Sequence, residues 1–185
     1  MRRILFISGK AGAGKSALAR AVHKLVVADG LSPIALKFAD PLYSLHRVVY
    51  ETMAEYGIEL TTTIDRRLLQ LLGTEWGRQT ISDDVWVRCL RNRITAVMAH
   101  PQAIVLVDDV RFPNELSMES LHGICKVRLS ADAAVRKIRA AKWTDTPHVS
   151  ETALDDATGF DITLDTTFGD VMANAKEVYE WMKTH

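Results

Sequence analysis

Two rhythms of hydrophobic and polar positions alternate along this chain, and their order predicts an α/β protein. Ile4-Leu5-Phe6-Ile7 is a short apolar β-prone run, and after it Leu18, Val22, Leu25 and Val26 fall at helical spacing. Ile34 to Phe38 predicts a second strand. Asp40-Pro41 then opens a helix, with the aspartate as N-cap and proline at the first helical position. That helix carries Leu42, Leu45, Val49 and Met53 to about Gly57. Asp65 to Trp76, with Leu68, Leu69 and Leu72, predicts a short helix that Gly77 stops. Val85 to Ala99 places Trp86, Leu90, Ile94 and Val97 on one face. Ala103-Ile104-Val105-Leu106-Val107 is apolar throughout, as expected of a strand buried on both faces. Ile124 to Leu129 and Asp161 to Leu164 complete five strands, and Val171, Ala175, Val178 and Met182 mark the last helix. There is no internal repeat, low-complexity tract or obvious linker.

The first strand and first helix frame a motif. Gly9-Lys10-Ala11-Gly12-Ala13-Gly14-Lys15-Ser16 fits G-x-x-x-x-G-K-[ST] at every fixed position, in the strand-loop-helix order a phosphate-binding loop requires. Glycines let the backbone curl so that several N–H groups face one anion, and the helix N-terminus adds to that field. The expectation is a nucleoside triphosphate on Gly9, Ala11, Gly12, Ala13, Gly14, Lys15 and Ser16. Lys15 would reach the β- and γ-phosphates, and the Ser16 hydroxyl would sit on Mg²⁺. A glycine turn without a ligand is the bland alternative, and the matched context disfavours it. The predicted fold is then a P-loop NTPase-type three-layer α/β/α arrangement. It has a mainly parallel five-stranded sheet and a helical lid, in a single domain over residues 1–185.

Two further patterns add to this picture. Asp108-Asp109 close the apolar run, so a carboxylate projects from the strand's carboxyl end, where ligands bind in open α/β sheets. A hard cation wants oxygen ligands, and of the pair Asp109 is expected to face the metal. Between residues 126 and 142 the cations Lys126, Arg128, Arg136, Lys137, Arg139 and Lys142 face one acid, Asp132. Arg136, Arg139 and Lys142 are three apart, so a helix would present them on nearly one face. Such cations can clamp a transferring phosphoryl group, although any one of them fits a solvated helix face equally well. The polar stretch Trp143 to Pro147 suits a lid over about 130–156.

Composition narrows the class. The chain has 185 residues, 48% of them hydrophobic and 25% charged, with formal net charge zero, so no global field recruits nucleic acid or a membrane. Cys89 and Cys125 lie in apolar surroundings without metal-cage spacing and are expected to be buried thiols in a reducing compartment. No apolar run is long enough to span a bilayer. Met1-Arg2-Arg3 leads straight into the first strand without a signal peptide, which predicts a cytoplasmic protein.

The middle of the chain carries more particular stretches: Leu68-Leu69-Gln70-Leu71-Leu72-Gly73-Thr74-Glu75-Trp76-Gly77-Arg78, Asp84-Val85-Trp86, Asp109-Val110-Arg111-Phe112-Pro113-Asn114-Glu115 and His148-Val149-Ser150-Glu151. In these runs the sequence resembles the deoxynucleoside monophosphate kinases of bacteriophages, within the nucleoside monophosphate kinase group. The likeness extends over nearly the whole chain. The glycine loop is common to many families, whereas LGTEWGR and DVRFPNE are more specific. The resemblance implies phosphoryl transfer from ATP, with Mg²⁺, to a deoxynucleoside 5′-monophosphate, and a homodimer. It implies an acceptor region over about 40–100. There Phe38 and Asp40 border the nucleoside, Arg78 grips its phosphate, and Gln70 and Trp86 contact or wall the base. It implies further that Arg111 bridges toward the transferring group, that Arg136 and Arg139 close from the lid, and that Glu151 serves the acceptor. Trp86 fits a core position better than a base platform. Ser150 and Glu151 could equally cap a short helix and complement its dipole. Two other readings stand beside this one. One is a P-loop kinase acting on a hydroxymethylated pyrimidine within DNA. The other is a nucleotide-hydrolysing switch or binding module, with no N-K-x-D box to favour guanine. The sequence leaves base specificity open.

Overall fold

The computed structural model describes residues 1–60, 63–120, 122–140 and 149–185. Lys142, Trp143 to Pro147 and His148 lie outside the described residues. The chain divides into two compact units, one made of Met1–Leu36 with Ile94–His185 and the other of Lys37–Arg93.

The larger unit is built on five strands: β1 (Ile4–Gly9), β2 (Ser32–Ala35), β3 (Ala103–Val110), β4 (Ile124–Ser130) and β5 (Ile162–Asp165). They form one sheet in the order β2-β3-β1-β4-β5. Every pair is parallel, with Leu5 beside Leu106 on one side and Cys125 on the other. The fold class is therefore α/β with an all-parallel five-stranded sheet, as the alternating apolar runs and amphipathic helices predict. Because strand side chains alternate between faces, Leu5, Ile7, Ile104, Leu106, Cys125, Val127 and Leu129 share one face. They form a single core with Leu18, Val22 and Val26 of α1 (Lys15–Ala28) and Ala175, Val178 and Met182 of α8 (Val171–Thr184). Ile4, Phe6, Val105 and Val107, of opposite parity, are also buried. Pro33 cannot donate to a ladder, and it lies in β2, an edge strand paired only with β3.

The second strand is shorter than expected and ends at Ala35 rather than Phe38. Just past its end the Leu36 N–H still donates to the Leu106 carbonyl, at 3.0 Å. The next N–H, of Lys37, donates instead to the Asp40 carboxylate at 2.9 Å. Asp40 is thereby the first residue of α2 (Asp40–Glu55), and Ala39 takes the N-cap position. Cys125 is buried as predicted, whereas Cys89 is only half-buried.

The smaller unit contains α2, α3 (Arg66–Gln70), a π-helical stretch (Leu71–Ile81) and most of α4 (Val85–Met98). His46 of α2 is buried, stacks on Tyr50 at 4.1 Å, and its Nε2 accepts the Asp65 N–H at 2.9 Å. Asp65 in turn caps α3, its Oδ1 accepting the N–H groups of Arg67 and Leu68 at 2.8 and 3.1 Å. The predicted glycine stop at Gly77 does not occur, since the π-helical stretch carries on to Ile81. Gly77 is there for space. A Cβ on it would stand 2.3 Å from Trp86 Cζ2, and the Trp86 Nε1–H donates to the Gly73 carbonyl at 2.8 Å. Trp86 is thus a core residue, 4% exposed, lodged in a groove that the glycine leaves open. Among the described residues no helix is long and apolar enough to cross a membrane.

Gly77→Ala should force the indole of Trp86 aside and lower the stability of the protein by about 1–3 kcal/mol, the usual cost of overpacking. Urea unfolding followed by tryptophan fluorescence measures it, and an unchanged midpoint would mean that the indole is not packed against this position.

Candidate functional site

The carboxyl ends of β1, β3 and β4 gather the polar groups of the larger unit, because a parallel sheet points all its carboxyl ends one way. Gly9 to Gly14 leave β1 and turn into α1. Gly12 and Gly14 have φ of 78° and 90°, in the left-handed region where a side chain is strained. Space forbids one at Gly12 as well, since a Cβ would meet the Arg136 carbonyl oxygen at 2.2 Å. The loop is held to its neighbours by Thr166, whose hydroxyl lies 3.0 Å from the Ala13 carbonyl.

Lys15 folds back over this loop. Its ammonium donates to the carbonyls of Gly9 and Lys10 at 2.5 and 3.0 Å. Burial lowers its pKa to about 8, and the nearby Arg111 guanidinium pushes the same way, against the smaller pull of Glu151 and Asp108. The Ser16 hydroxyl donates to Asp108 Oδ2 at 2.6 Å. The register of β3 against β1 shifts here, with Phe6 beside Val107 but Ser8 beside Val110, so alternation does not separate the two aspartates and the bond to Ser16 does. The structure therefore joins Ser16 to Asp108, where the sequence reading had favoured Asp109. A hydroxyl and a carboxylate form an all-oxygen pair suited to a hard cation such as Mg²⁺. Among the described residues no group of three His, Cys, Asp or Glu side chains could hold a metal by itself. Such a pair would leave most of the coordination shell to water and phosphate oxygens.

Arg111 leaves β3 into a turn held by Glu115 of α5 (Pro113–Leu116). Glu115 is 2% exposed, and its Oε2 accepts the backbone N–H groups of Arg111 and Phe112 at 2.8 and 3.1 Å. The Arg111 Nη1 bonds to Glu151 Oε1, and the other carboxylate oxygen of Glu151 accepts the Ala11 N–H at 2.6 Å. Burial alone would raise the Glu151 pKa, but the Ala11 N–H, Arg111 and Lys15 outweigh it and hold the carboxyl below its ordinary value. Arg128 donates to the Ser8 hydroxyl at 2.9 Å and lies 3.4 Å from Asp155, which also pairs with Lys10 at 2.7 Å. Arg128, Asp155 and Glu115 were not singled out from the sequence for these positions. The cationic run between 126 and 142 contained Arg128 without distinguishing it, although a charged residue inside an apolar strand is a visible signal.

The two arginines expected to close over the phosphates are occupied differently. On α6 (Ala133–Arg139), the Arg136 Nε donates to the Ala131 carbonyl at 3.1 Å. Arg139 donates to the carbonyls of Thr166 and Thr167 at 2.9 and 3.2 Å. Its side chain borders a largely apolar pocket of about 130 Å³, also lined by Gly14, Ala17, Leu18, Val171 and Asn174. Of the residues assigned to the acceptor, Phe38, Asp40, Gln70, Arg78 and Trp86 all belong to the smaller unit. Phe38 is buried, Gln70 ends α3, and Trp86 is in the core. Arg78 has a local structural task. Its guanidinium donates to the Asp83 carbonyl at 3.1 Å and lies 3.7 Å from the Asp83 carboxylate, joining the end of the π-helical stretch to the start of α4.

No family model and no curated protein sequence matches the chain. Solved structures do match over nearly its full length. TT1252 from Thermus thermophilus is 17% identical, over 98% of this chain and 97% of that one, with a TM-score of 0.54. The APS kinase of Mycobacterium tuberculosis, solved with AMPPNP and APS, is 15% identical over 98% and 97%, with a TM-score of 0.46. The shikimate kinase of Acinetobacter baumannii, solved with shikimate, is 11% identical over 98% and 93%, with a TM-score of 0.47. At these identities the likeness to the Thermus protein shows a shared fold.

The crowding at Gly12 is directly testable against Gly30, which has a similar φ of 74° but nothing within 4 Å of an added Cβ. Gly30→Ala should cost the left-handed backbone alone, about 1–2 kcal/mol. Gly12→Ala should cost about 1–3 kcal/mol more, because the carbonyl of Arg136 must also move. Urea titrations of the two variants compare them, and equal losses would show that α6 does not press on the loop.

Proposed function

We propose that this chain is a P-loop kinase that transfers the terminal phosphoryl group of ATP to a deoxynucleoside 5′-monophosphate. The observation that carries this reading is the arrangement around Ser16: a glycine loop with Lys15 folded into it, and a hydroxyl bonded to Asp108 at the carboxyl end of β3. A polyphosphate in the loop would take the inward N–H groups and the Lys15 ammonium in place of the carbonyls that now hold it. The pocket between α1, Arg139 and the start of α8 has the apolar walls and few polar groups that suit the donor base. Bound Mg²⁺, held by Ser16 and Asp108, would neutralise charge on the β- and γ-phosphates.

The protein's own part is positioning and charge. An oxygen of the acceptor phosphate attacks the γ-phosphorus, the bond from that phosphorus to the β–γ bridging oxygen breaks, and ADP leaves. The products are ADP and the deoxynucleoside diphosphate. Lys15 holds the β- and γ-phosphate oxygens, and Arg111, freed from Glu151, faces the group in flight. The acceptor is the finer part of the proposal. It is supported by the likeness of the LGTEWGR and DVRFPNE runs to phage deoxynucleoside monophosphate kinases. Phe38, Asp40, Gln70 and Arg78 are the residues proposed to meet the acceptor, with Trp86 walling it from the core. Residues 1–185 are proposed to act as one kinase, with 40–100 serving the acceptor and 130–156 the lid.

An ADP-release assay across the four deoxynucleoside monophosphates should show turnover with at least one of them and near idleness without any. Turnover only on hydroxymethylated duplex DNA, or steady hydrolysis without acceptor, would replace this reading by one of its rivals. Lys15→Ala should reduce transfer by about 10³-fold or more, as loss of a preorganised charge does.

The depressed pKa of Lys15 adds a pH dependence with a defined sign. Above about pH 8 the free protein holds Lys15 neutral, while a bound polyphosphate favours the ammonium. The complex then carries one more proton than the free protein, so affinity for Mg-ATP should fall as pH rises from 8 toward 10, by up to about tenfold per unit. Calorimetry at pH 9 in buffers of different ionisation enthalpy should report proton uptake. Lys15→Met should bind weakly and without that uptake.

A further inference from the structure

The segment α7 (Val149–Thr152) and the turn after it send two acids, four residues apart, onto the phosphate loop from one side. Glu151 reaches the Ala11 N–H at 2.6 Å and the Arg111 guanidinium. Asp155 reaches the Lys10 ammonium at 2.7 Å and the Arg128 guanidinium at 3.4 Å. Four of the positive partners a polyphosphate would want near this loop are thus already held by carboxylates. The Glu151 carboxylate matches a phosphate edge in kind: two oxygens, a negative charge, one bond to a loop amide and one to an arginine fork. Asp155 is more open to solvent, 36% exposed at the side chain against 20% for Glu151.

Resting on the reading that this loop takes a polyphosphate, we infer that Glu151 is a built-in phosphate surrogate. It closes the anion cradle of the free protein and must be displaced before the polyphosphate can bind. The Ala11 amide has one hydrogen, so a phosphate oxygen that takes it competes with the Glu151 carboxylate, and the two anions repel each other at the Arg111 guanidinium. The apparent affinity for the polyphosphate is reduced by the fraction of molecules in which Glu151 is seated. Displacement has a second effect. It frees the arginine at the end of β3 only when a phosphate has arrived, so the guanidinium passes from one anion to another and is not left uncompensated. Asp155 supports the same seat from Lys10 and Arg128, as a positioning residue.

The test uses the full-length protein and inorganic tripolyphosphate, which carries the charge of the donor without its base. By calorimetry, Glu151→Ala should bind tripolyphosphate about tenfold tighter than wild type, the loss of a charge-assisted competitor. Glu151→Gln keeps an oxygen for the Ala11 N–H but not the charge, and should tighten binding by a smaller factor. Asp155→Asn, at a more exposed position, should also tighten it, about two- to threefold. Thermal unfolding without ligand should show all three variants folded and no more stable than wild type. Equal or weaker binding by Glu151→Ala and Asp155→Asn would overturn the inference while leaving the kinase reading intact. A wild-type protein that takes up no tripolyphosphate would overturn both. A raised KM for the acceptor with unchanged tripolyphosphate affinity would move Glu151 to the acceptor side and remove it from this role.

Discussion

Positive charge held away from water is the constraint on which the site depends. An ammonium and several N–H groups at the carboxyl end of a buried parallel sheet are costly unless something accepts from them. In the free protein the loop carbonyls of Gly9 and Lys10 accept from Lys15, and the Glu151 carboxylate accepts from Ala11. Burial, with the Arg111 guanidinium beside it, still lowers the Lys15 pKa to about 8, so these acceptors do not offset the desolvation in full. On the proposed reading, a polyphosphate would bring more negative charge to the same points.

The sheet order explains why these groups meet. β1 is central, with β3 on one side and β4 on the other, so residues far apart in the chain leave neighbouring strands at one level. Ser8 and Arg128 are register partners across β1 and β4, and their side chains bond at 2.9 Å. Asp108, near the end of β3, reaches Ser16 where the pairing of β1 with β3 shifts register, Phe6 lying beside Val107 but Ser8 beside Val110. The extra residue of β3 falls at Asp108-Asp109, so an irregularity in the sheet sits at the carboxylate that meets α1.

Periodicity and local motifs made the five strands, the long helices and the glycine loop legible, because each of those signals lies within a few consecutive residues. What escaped was set by tertiary contact. Gly77 has the sequence context of a helix stop, yet the chain runs on as a π-helix around the indole of Trp86, nine residues later. Arg78 is tied to Asp83, five residues on, by a bond that no local motif marks. Ala35 ends the second strand where the pairing with β3 ends, although the apolar pattern continues to Phe38. Asp108 and Asp109 are indistinguishable by composition, and the register shift of β3 at this point keeps simple alternation from separating them. Lys142, Trp143 to Pro147 and His148 fall outside the described residues, so the lid reading draws only on Arg136 and Arg139.

The division into two units sorts the chemistry. Every group placed around the phosphate loop, from Ser8 through Asp108, Arg111 and Arg128 to Glu151 and Asp155, belongs to the larger unit, which also holds the DVRFPNE run. The LGTEWGR run belongs to the smaller one, where the π-helical stretch is tied down by Trp86, His46 and the Asp65 cap. A π-helix is rare and usually a single turn, and here eleven residues in that form lie against the indole of Trp86, with Gly77 leaving it room and the Gly73 carbonyl accepting from Nε1. Those two glycines are therefore explained without any ligand, while the exposed Gln70, Glu75 and Trp76 beside them are not. Under the proposed reading, the contact with an acceptor in this unit is to be sought on that solvent-facing side.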